Sequence, residues 1–306
     1  MKTVTGIGQA SWDYLALVDE YPPGDTKKEV LRWEGQGGGP VATALVTLQR
    51  LGVRTRFHGV VGDDREGNRI RESLTGEGVD ISGIRIREGT VSQVAFIVIE
   101  QGSGKRTIFW RRPSGPPLEP EEAGDDFLVG TDFLLLDGLM AEVSIHAARK
   151  ARSEGVPVMI DAGRIREGML ELARLSDYVV GSEEFARDLG FDGDIEAFRH
   201  LLRKEGFPVT TITLGERGSI TFNNDEVFRT EAFRVDVVDT TGAGDVFHGG
   251  YIYGLLQGWE LRKTVIFASA LSALKCRFMG GRRGIASMSE VTEFLSERGA
   301  PFFSSL

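Results

Sequence analysis

The feature that most constrains this chain is the alternation that begins at Asp132. A buried-type strand, "DFLLLDGL", is followed by a helical segment, "VSIHAARKARSEG". The pattern then recurs as "PVMIDAG" and "REGMLELARL", "DYVVGS" and "EEFARDLG", "IEAFRHLLRKEG" and "VTTITLG". Strands that alternate with helices are joined by crossovers, so they lie parallel, with helices on both faces of the sheet. The expected fold class is therefore α/β, a doubly wound and mostly parallel sheet. The 306 residues leave ample room for its core.

The first third reads differently. "TVTGIG" is a short strand. "GPVATALVTLQRLG" has helical spacing at Val41, Leu45 and Leu48 and stops at Gly52. "TRFHGVVGDD" predicts another strand and "EGNRIRESLTGEG" a helix. On either side of these, "KKEVLRWEG", "SQVAFIVIE" and "RTIFWRR" alternate as strands, the last two joined by the turn "QGSGK". They predict a small sheet built from residues 10–36 and 88–113 within one domain spanning 1–306. The loop "RRPSGPPLEPEEAGDD" separates it from the core. An extra sheet at the carboxyl rim of an α/β sheet reads as a lid, because ligands bind at that rim.

Composition narrows the class of partner. A net charge of −9 argues against a nucleic-acid or membrane-surface binder, which carries a basic footprint. No run approaches the roughly 18 apolar residues of a membrane span, and the N-terminus lacks a signal-like apolar stretch. With one cysteine, Cys276, no intrachain disulfide can form, and a cytoplasmic protein is expected.

The chemistry concentrates in "VVDTTGAGDVFHGG", Val237 to Gly250. One reading is a strand-to-helix turn that needs small residues. A dinucleotide fingerprint fails here, because no third glycine follows Gly242 and Gly244 at the required place. "GIGQAS" fails too, with Ser11 at the last position. The remaining reading is an anion cradle, in which the N–H groups of Gly242, Ala243 and Gly244 open a helix starting near Asp245. A carboxylate beside a bound phosphate is repelled unless it has a use. Phosphoryl transfer supplies one: Asp245 takes the proton of the attacking hydroxyl while the amides stabilise the transferring charge. "GSGKRT" is not a P-loop, since Ile99 and Arg106 stand where Gly and Ser or Thr belong.

With these residues in view, the chain resembles the ribokinase-like, phosphofructokinase B-type carbohydrate kinases over nearly its whole length. "DTTGAGDVFHGG", "GQGGGPVATALVTLQRLG" and "GVVGDDREGNRIRESLTGEGVD" match three family motifs in order. The resemblance implies a ribokinase-like fold with a β-sheet lid, often a homodimer through that lid. It also implies transfer of the ATP γ-phosphate to a sugar hydroxyl with Mg²⁺. By position it assigns Asp13, Gly38, Gly39 and Thr43 to the sugar, Thr43 standing where many members have Asn. It assigns Ser182, Thr213, Gly215 and Gly218 to ATP, and Glu183 to Mg²⁺. Asp239 and the Thr241 carbonyl fall on a monovalent-cation site, implying K⁺.

Within the family, "FRVDVVDTTGAGDVFHGG" and "GGGPVATA" look most like the sulfofructose kinase branch, so a fructose-like ketose or 6-deoxy-6-sulfofructose is expected. A sulfonate needs cations, and Arg111, Arg112 and Arg164 are the candidates, although Leu139 stands near where that branch would supply an arginine. His248 reads as a packing or supporting residue, Cys276 as a core or nucleotide-pocket residue, and "GGRRG" as a flank of the nucleotide site. Two alternatives stay open: a nucleoside kinase of the same fold, for which Trp12 and Trp110 could face a base, and a non-catalytic regulator, against which the intact Gly-Ala-Gly-Asp speaks.

Overall fold

The computed structural model describes residues 1–124, 126–300 and 303. Its thirteen described strands are β1 (Thr3–Ile7), β2 (Ser11–Val18), β3 (Arg32–Gly38), β4 (Arg54–Gly62), β5 (Asp80–Arg87), β6 (Val94–Glu100), β7 (Arg106–Arg111), β8 (Phe133–Leu136), β9 (Val158–Ala162), β10 (Tyr178–Ser182), β11 (Val209–Thr213), β12 (Ser219–Phe222) and β13 (Val227–Thr230). The helices are α1 (Pro40–Arg50), α2 (Arg65–Gly76), α3 (Pro120–Ala123), α4 (Ala141–Glu154), α5 (Met169–Leu175), α6 (Glu183–Asp188), α7 (Ile195–Glu205), α8 (Ala243–Leu256), α9 (Leu261–Cys276) and α10 (Met288–Glu297). None is long and apolar enough to cross a membrane among the described residues.

Nine strands form one sheet in the order β13-β12-β11-β10-β9-β8-β1-β4-β5. All neighbours from β11 to β5 run parallel, and only the β12–β13 edge is antiparallel. The parallel strands are apolar on both sides, as "FLLL" shows. Phe133 and Leu135 pack with Val246 and Leu271 on one face, while Leu134 and Leu136 pack with Val143 and Ala147 on the other. Side-chain caps start α2 at Asp64, α6 at Ser182 and α7 at Asp194. From β1 the chain steps to β4 and β5 on one side, then to β8 through β11 on the other. The reversal places a crevice beyond the carboxyl ends of β1 and β8, where ligands of such sheets bind.

The other four strands make a separate sheet, β3-β2-β6-β7. Its strand β2 was not read from the sequence, nor were β5 and the β12–β13 hairpin. On one face, Leu15, Ala95, Ile97 and Ile99 pack against Met279, just past the end of α9. The opposite face carries a row of aromatic rings, with Tyr14 stacked between Trp33 and Phe96.

Candidate active site

α8 begins at Ala243, two residues earlier than the sequence suggested, with Gly242 as its left-handed N-cap at φ 74°. A Cβ on Gly242 would stand 2.6 Å from the Gly281 Cα, so only glycine fits that turn. The expected trio of amides needs correcting. The Ala243 N–H donates to the Thr240 carbonyl at 3.2 Å and is spent. The amides of Gly242, Gly244 and Asp245 have no acceptor among the described residues, as expected for the first turn of a helix. A Cβ on Gly244 would meet nothing within 4 Å, so the space above the turn is open. Free amides at the positive end of a helix form an anion site.

Asp245 sits half-buried on that first turn. Burial, and then the neighbouring Asp161 carboxylate, push its pKa up to about 7; His248 and Arg106 pull the other way. His248 lies one turn on, with Nδ1 2.7 Å from the Gly244 carbonyl and Nε2 3.6 Å from Asp161 Oδ1. A carbonyl only accepts, so Nδ1 carries a hydrogen and bonds within the turn, while Nε2 faces Asp161 on β9. The supporting role expected of His248 fits this geometry.

Asp13 projects from β2, almost fully buried, and accepts a 2.7 Å bond from the Ser11 hydroxyl. Burial raises its pKa to about 6, and its charge adds to that of Asp245. A Cβ on Gly38 would lie 2.0 Å from Asp13 Oδ2, and one on Gly39 2.4 Å from the Gln9 carbonyl. Both glycines are therefore required by close approach. Thr43 is buried on α1 nearby.

Three residues here escaped the sequence reading. Asp137 ends β8 at the switch point and accepts N–H bonds from Gln9 (2.7 Å) and Leu139 (3.0 Å). Burial pushes its carboxyl up to about 7. An aspartate closing the run "FLLL" was the signal available. Arg282, expected to flank the nucleotide site, is 4% exposed and lies against Gly38 and Thr43, which the resemblance assigns to the sugar. Its guanidinium donates to the Gly38 carbonyl and the Ser73 hydroxyl, both at 2.9 Å, and to Thr43 Oγ1 at 3.4 Å. Arg106, at the start of β7, reaches over to the Thr240 hydroxyl beside the anion turn.

Other expected roles shift. Arg164 pairs with Glu184 at 2.8 Å, both more than half exposed. Arg112 stacks on Trp110 at 4.9 Å. Arg111 lies on the exposed edge strand, with its charge felt by Asp64. Arg164 and Arg112 thus have partners within the chain, in Glu184 and Trp110. Ser182 does not offer a free hydroxyl: it donates to the Gly163 carbonyl and caps α6 by accepting from Glu184 and Phe185 N–H. Both carboxylate oxygens of Glu183 are held by Arg187 and Arg217. Glu183 therefore does not fit as a direct Mg²⁺ ligand, and no cluster of three or more acidic, His or Cys side chains suited to a metal exists among the described residues. Thr213 donates to the Gly181 carbonyl at the end of β10. Gly215 and Gly218 take positive φ in the turn before β12, where a Cβ on Gly218 would overlap the Thr230 carbonyl at 1.9 Å. Cys276 is buried and free, and burial raises its thiol pKa.

The sequence matches the pfkB family carbohydrate kinases over residues 1–287. It is 28% identical to an ATP-dependent ribose-1-phosphate kinase from Halopiger xanaduensis, covering 97% of this chain and 99% of that one. It is 24% identical to ketohexokinase from Mus musculus, covering 91% and 97%. The Arabidopsis thaliana ribokinase solved with ribose and ATP superposes with a TM-score of 0.82 at 23% identity, covering 96% and 99%. The open anion turn, its poised aspartate and this match over nearly the full chain agree, and the protein belongs to the pfkB family of carbohydrate kinases.

Proposed function

We propose that the chain transfers the γ-phosphoryl group of ATP to a hydroxyl of a small, uncharged sugar, a ketose or pentose. Asp13 orients the sugar through its hydroxyls. Asp245 accepts the proton of the attacking hydroxyl. The amides of Gly242, Gly244 and Asp245, with Arg106, stabilise the charge on the transferring group. Mg²⁺ enters as part of the nucleotide substrate and neutralises phosphate charge. The single observation that carries this reading is a carboxylate poised near pH 7 on a helix turn whose amides are free. Such a pKa suits a general base.

An uncharged sugar is favoured over a sulfonated one because Arg282, the cation buried near Asp13, spends its donors on Gly38, Ser73 and Thr43. A nucleoside remains the second reading on one observation. Trp110 shares the Asp13 face of its sheet, in register through Ala95. Trp12 drops out, because it belongs to the opposite face and packs towards the core under Arg69.

The test is ATP turnover against fructose, 6-deoxy-6-sulfofructose, fructose phosphates, ribose, 2-keto-3-deoxygluconate, adenosine and inosine. A preferred neutral sugar supports the reading. A preferred sulfonate or phosphate sugar overturns the uncharged class, and a preferred nucleoside establishes the second reading. Silence across the panel with ATP bound favours a regulator.

Asp13→Ala is expected to raise the sugar KM by about 10–100-fold, the worth of a lost charged hydrogen bond, with a smaller change in kcat. An unaltered KM in steady-state kinetics removes Asp13 from the site.

The reading includes a homodimer through the lid. Trp33, Phe96 and Phe109 are 57%, 47% and 53% exposed on its outer face, and such a patch marks an interface. Phe96→Asp is expected to shift the protein to monomer, read by sedimentation velocity; a wild-type monomer at micromolar concentration refutes the dimer.

A further inference from the structure

Asp239 is fully buried three residues before the anion turn. Both its carboxylate oxygens are occupied: Oδ1 accepts from the Thr241 N–H (2.8 Å) and hydroxyl (2.7 Å), and Oδ2 from the Gly280 N–H (2.6 Å). Its main-chain carbonyl accepts a 2.7 Å bond from the Lys275 ammonium. Lys275 is 0% exposed, on the last turn of α9.

A lysine is seldom buried completely, because desolvating its charge is costly without compensation. Here the compensation is specific. The ammonium meets the Asp239 carbonyl, the field of the Asp239 carboxylate and the negative end of α9. The resemblance puts a K⁺ ion at Asp239 and Thr241. A K⁺ site is built from oxygens that replace the hydration shell. The oxygens of Asp239 already have donors, and a second cation beside the ammonium meets like-charge repulsion. The Asp239 oxygens therefore do not fit a bound K⁺.

We propose that the Lys275 ammonium replaces the monovalent cation, fixing the Asp239–Gly242 loop so that the amide cradle forms without K⁺. Lys275 is a positioning residue: it acts through Asp239 on the amides of the turn. The inference rests on the kinase reading for its effect on turnover, but its structural part does not.

The experiment compares wild type and Lys275→Met in KCl, NH₄Cl and tetramethylammonium chloride at constant ionic strength. It reads both turnover and thermal midpoint. Wild type is expected to change less than about twofold in kcat on adding K⁺, with no saturable shift in midpoint. Lys275→Met is expected to lose at least about tenfold in kcat, as removal of a buried, bonded charge disturbs its neighbours, and to recover part of it, with a raised midpoint, in K⁺ or NH₄⁺. A saturable K⁺ response of wild type, in turnover or midpoint, overturns the proposal. So does a variant as active as wild type without K⁺. If Lys275→Met does not fold, the wild-type titration alone decides. The midpoint reads cation binding without turnover, so a failed kinase reading stays distinguishable from a failed cation inference.

Discussion

Asp245→Asn is expected to lower kcat by about 10²–10⁴-fold, the usual worth of a positioned general base, and to leave ATP affinity within about tenfold, because the amides of the turn remain. The same substitution is expected to stabilise the fold. The carboxyl of Asp245 has a pKa of about 7 in the folded protein, against 3.8 for the unperturbed group. The folded state therefore holds its proton more tightly than the unfolded chain does. Ionisation costs stability increasingly as pH rises from about 4 to 7, and the full cost is present above 7. Asparagine carries no such charge, so the variant is expected to gain roughly 1–3 kcal/mol at pH 8 and nothing near pH 4. Chemical denaturation at the two pH values reads the difference. In wild type, kcat/KM is expected to fall on the acid side with a midpoint near 7, as the base becomes protonated. A variant with unchanged turnover removes Asp245 as the base, and equal stability gains at both pH values reject its perturbed ionisation.

Arg106→Met is expected to lower kcat by about 10²-fold with a much smaller change in sugar KM, the pattern of a group that stabilises transition-state charge. Arg106 comes from the smaller sheet yet bonds Thr240, next to the amide turn, and its charge is felt by Asp245. In the proposed reaction a guanidinium there would face the phosphoryl group as negative charge develops. Arg106→Lys is expected to recover part of the rate, since it keeps the charge but loses the planar fork. If Arg106→Met folds, judged by its thermal melt, and keeps wild-type kcat, Arg106 serves only to hold the hairpin.

The parts of this molecule that were legible in sequence are those written locally. The run "FLLL" and its successors declare parallel strands because burial on both faces makes them continuously apolar. The places of Gly242 and Asp245 were legible because turn, cap and first-turn carboxylate occupy adjacent positions. β12 and β13 were not, because four-residue strands at an edge have little periodicity to show. The arginines were the hardest residues to place from sequence. Arg164 and Arg282 are alike in sequence, each in a glycine-containing turn. One lies in an exposed ion pair and the other is buried against the Gly38 strand, and only the packing of segments far apart in the chain decides which. Arg106 and Lys275 were missed for the same reason: their partners, Thr240 and Asp239, lie 134 and 36 residues away.

The Arg282–Gly38 bond joins residues 244 positions apart. It also sets an order of events at the ribosome. At about 5–20 residues per second, synthesis of that interval takes roughly 10–50 s. Throughout that time the nascent chain carries the glycine strand and Asp13 without the guanidinium that braces them. The brace on the glycine strand is thus a late-maturing feature, completed when the last tenth of the polypeptide arrives. A chain cut short before Arg282 would contain the sequence of every described strand and still lack that brace.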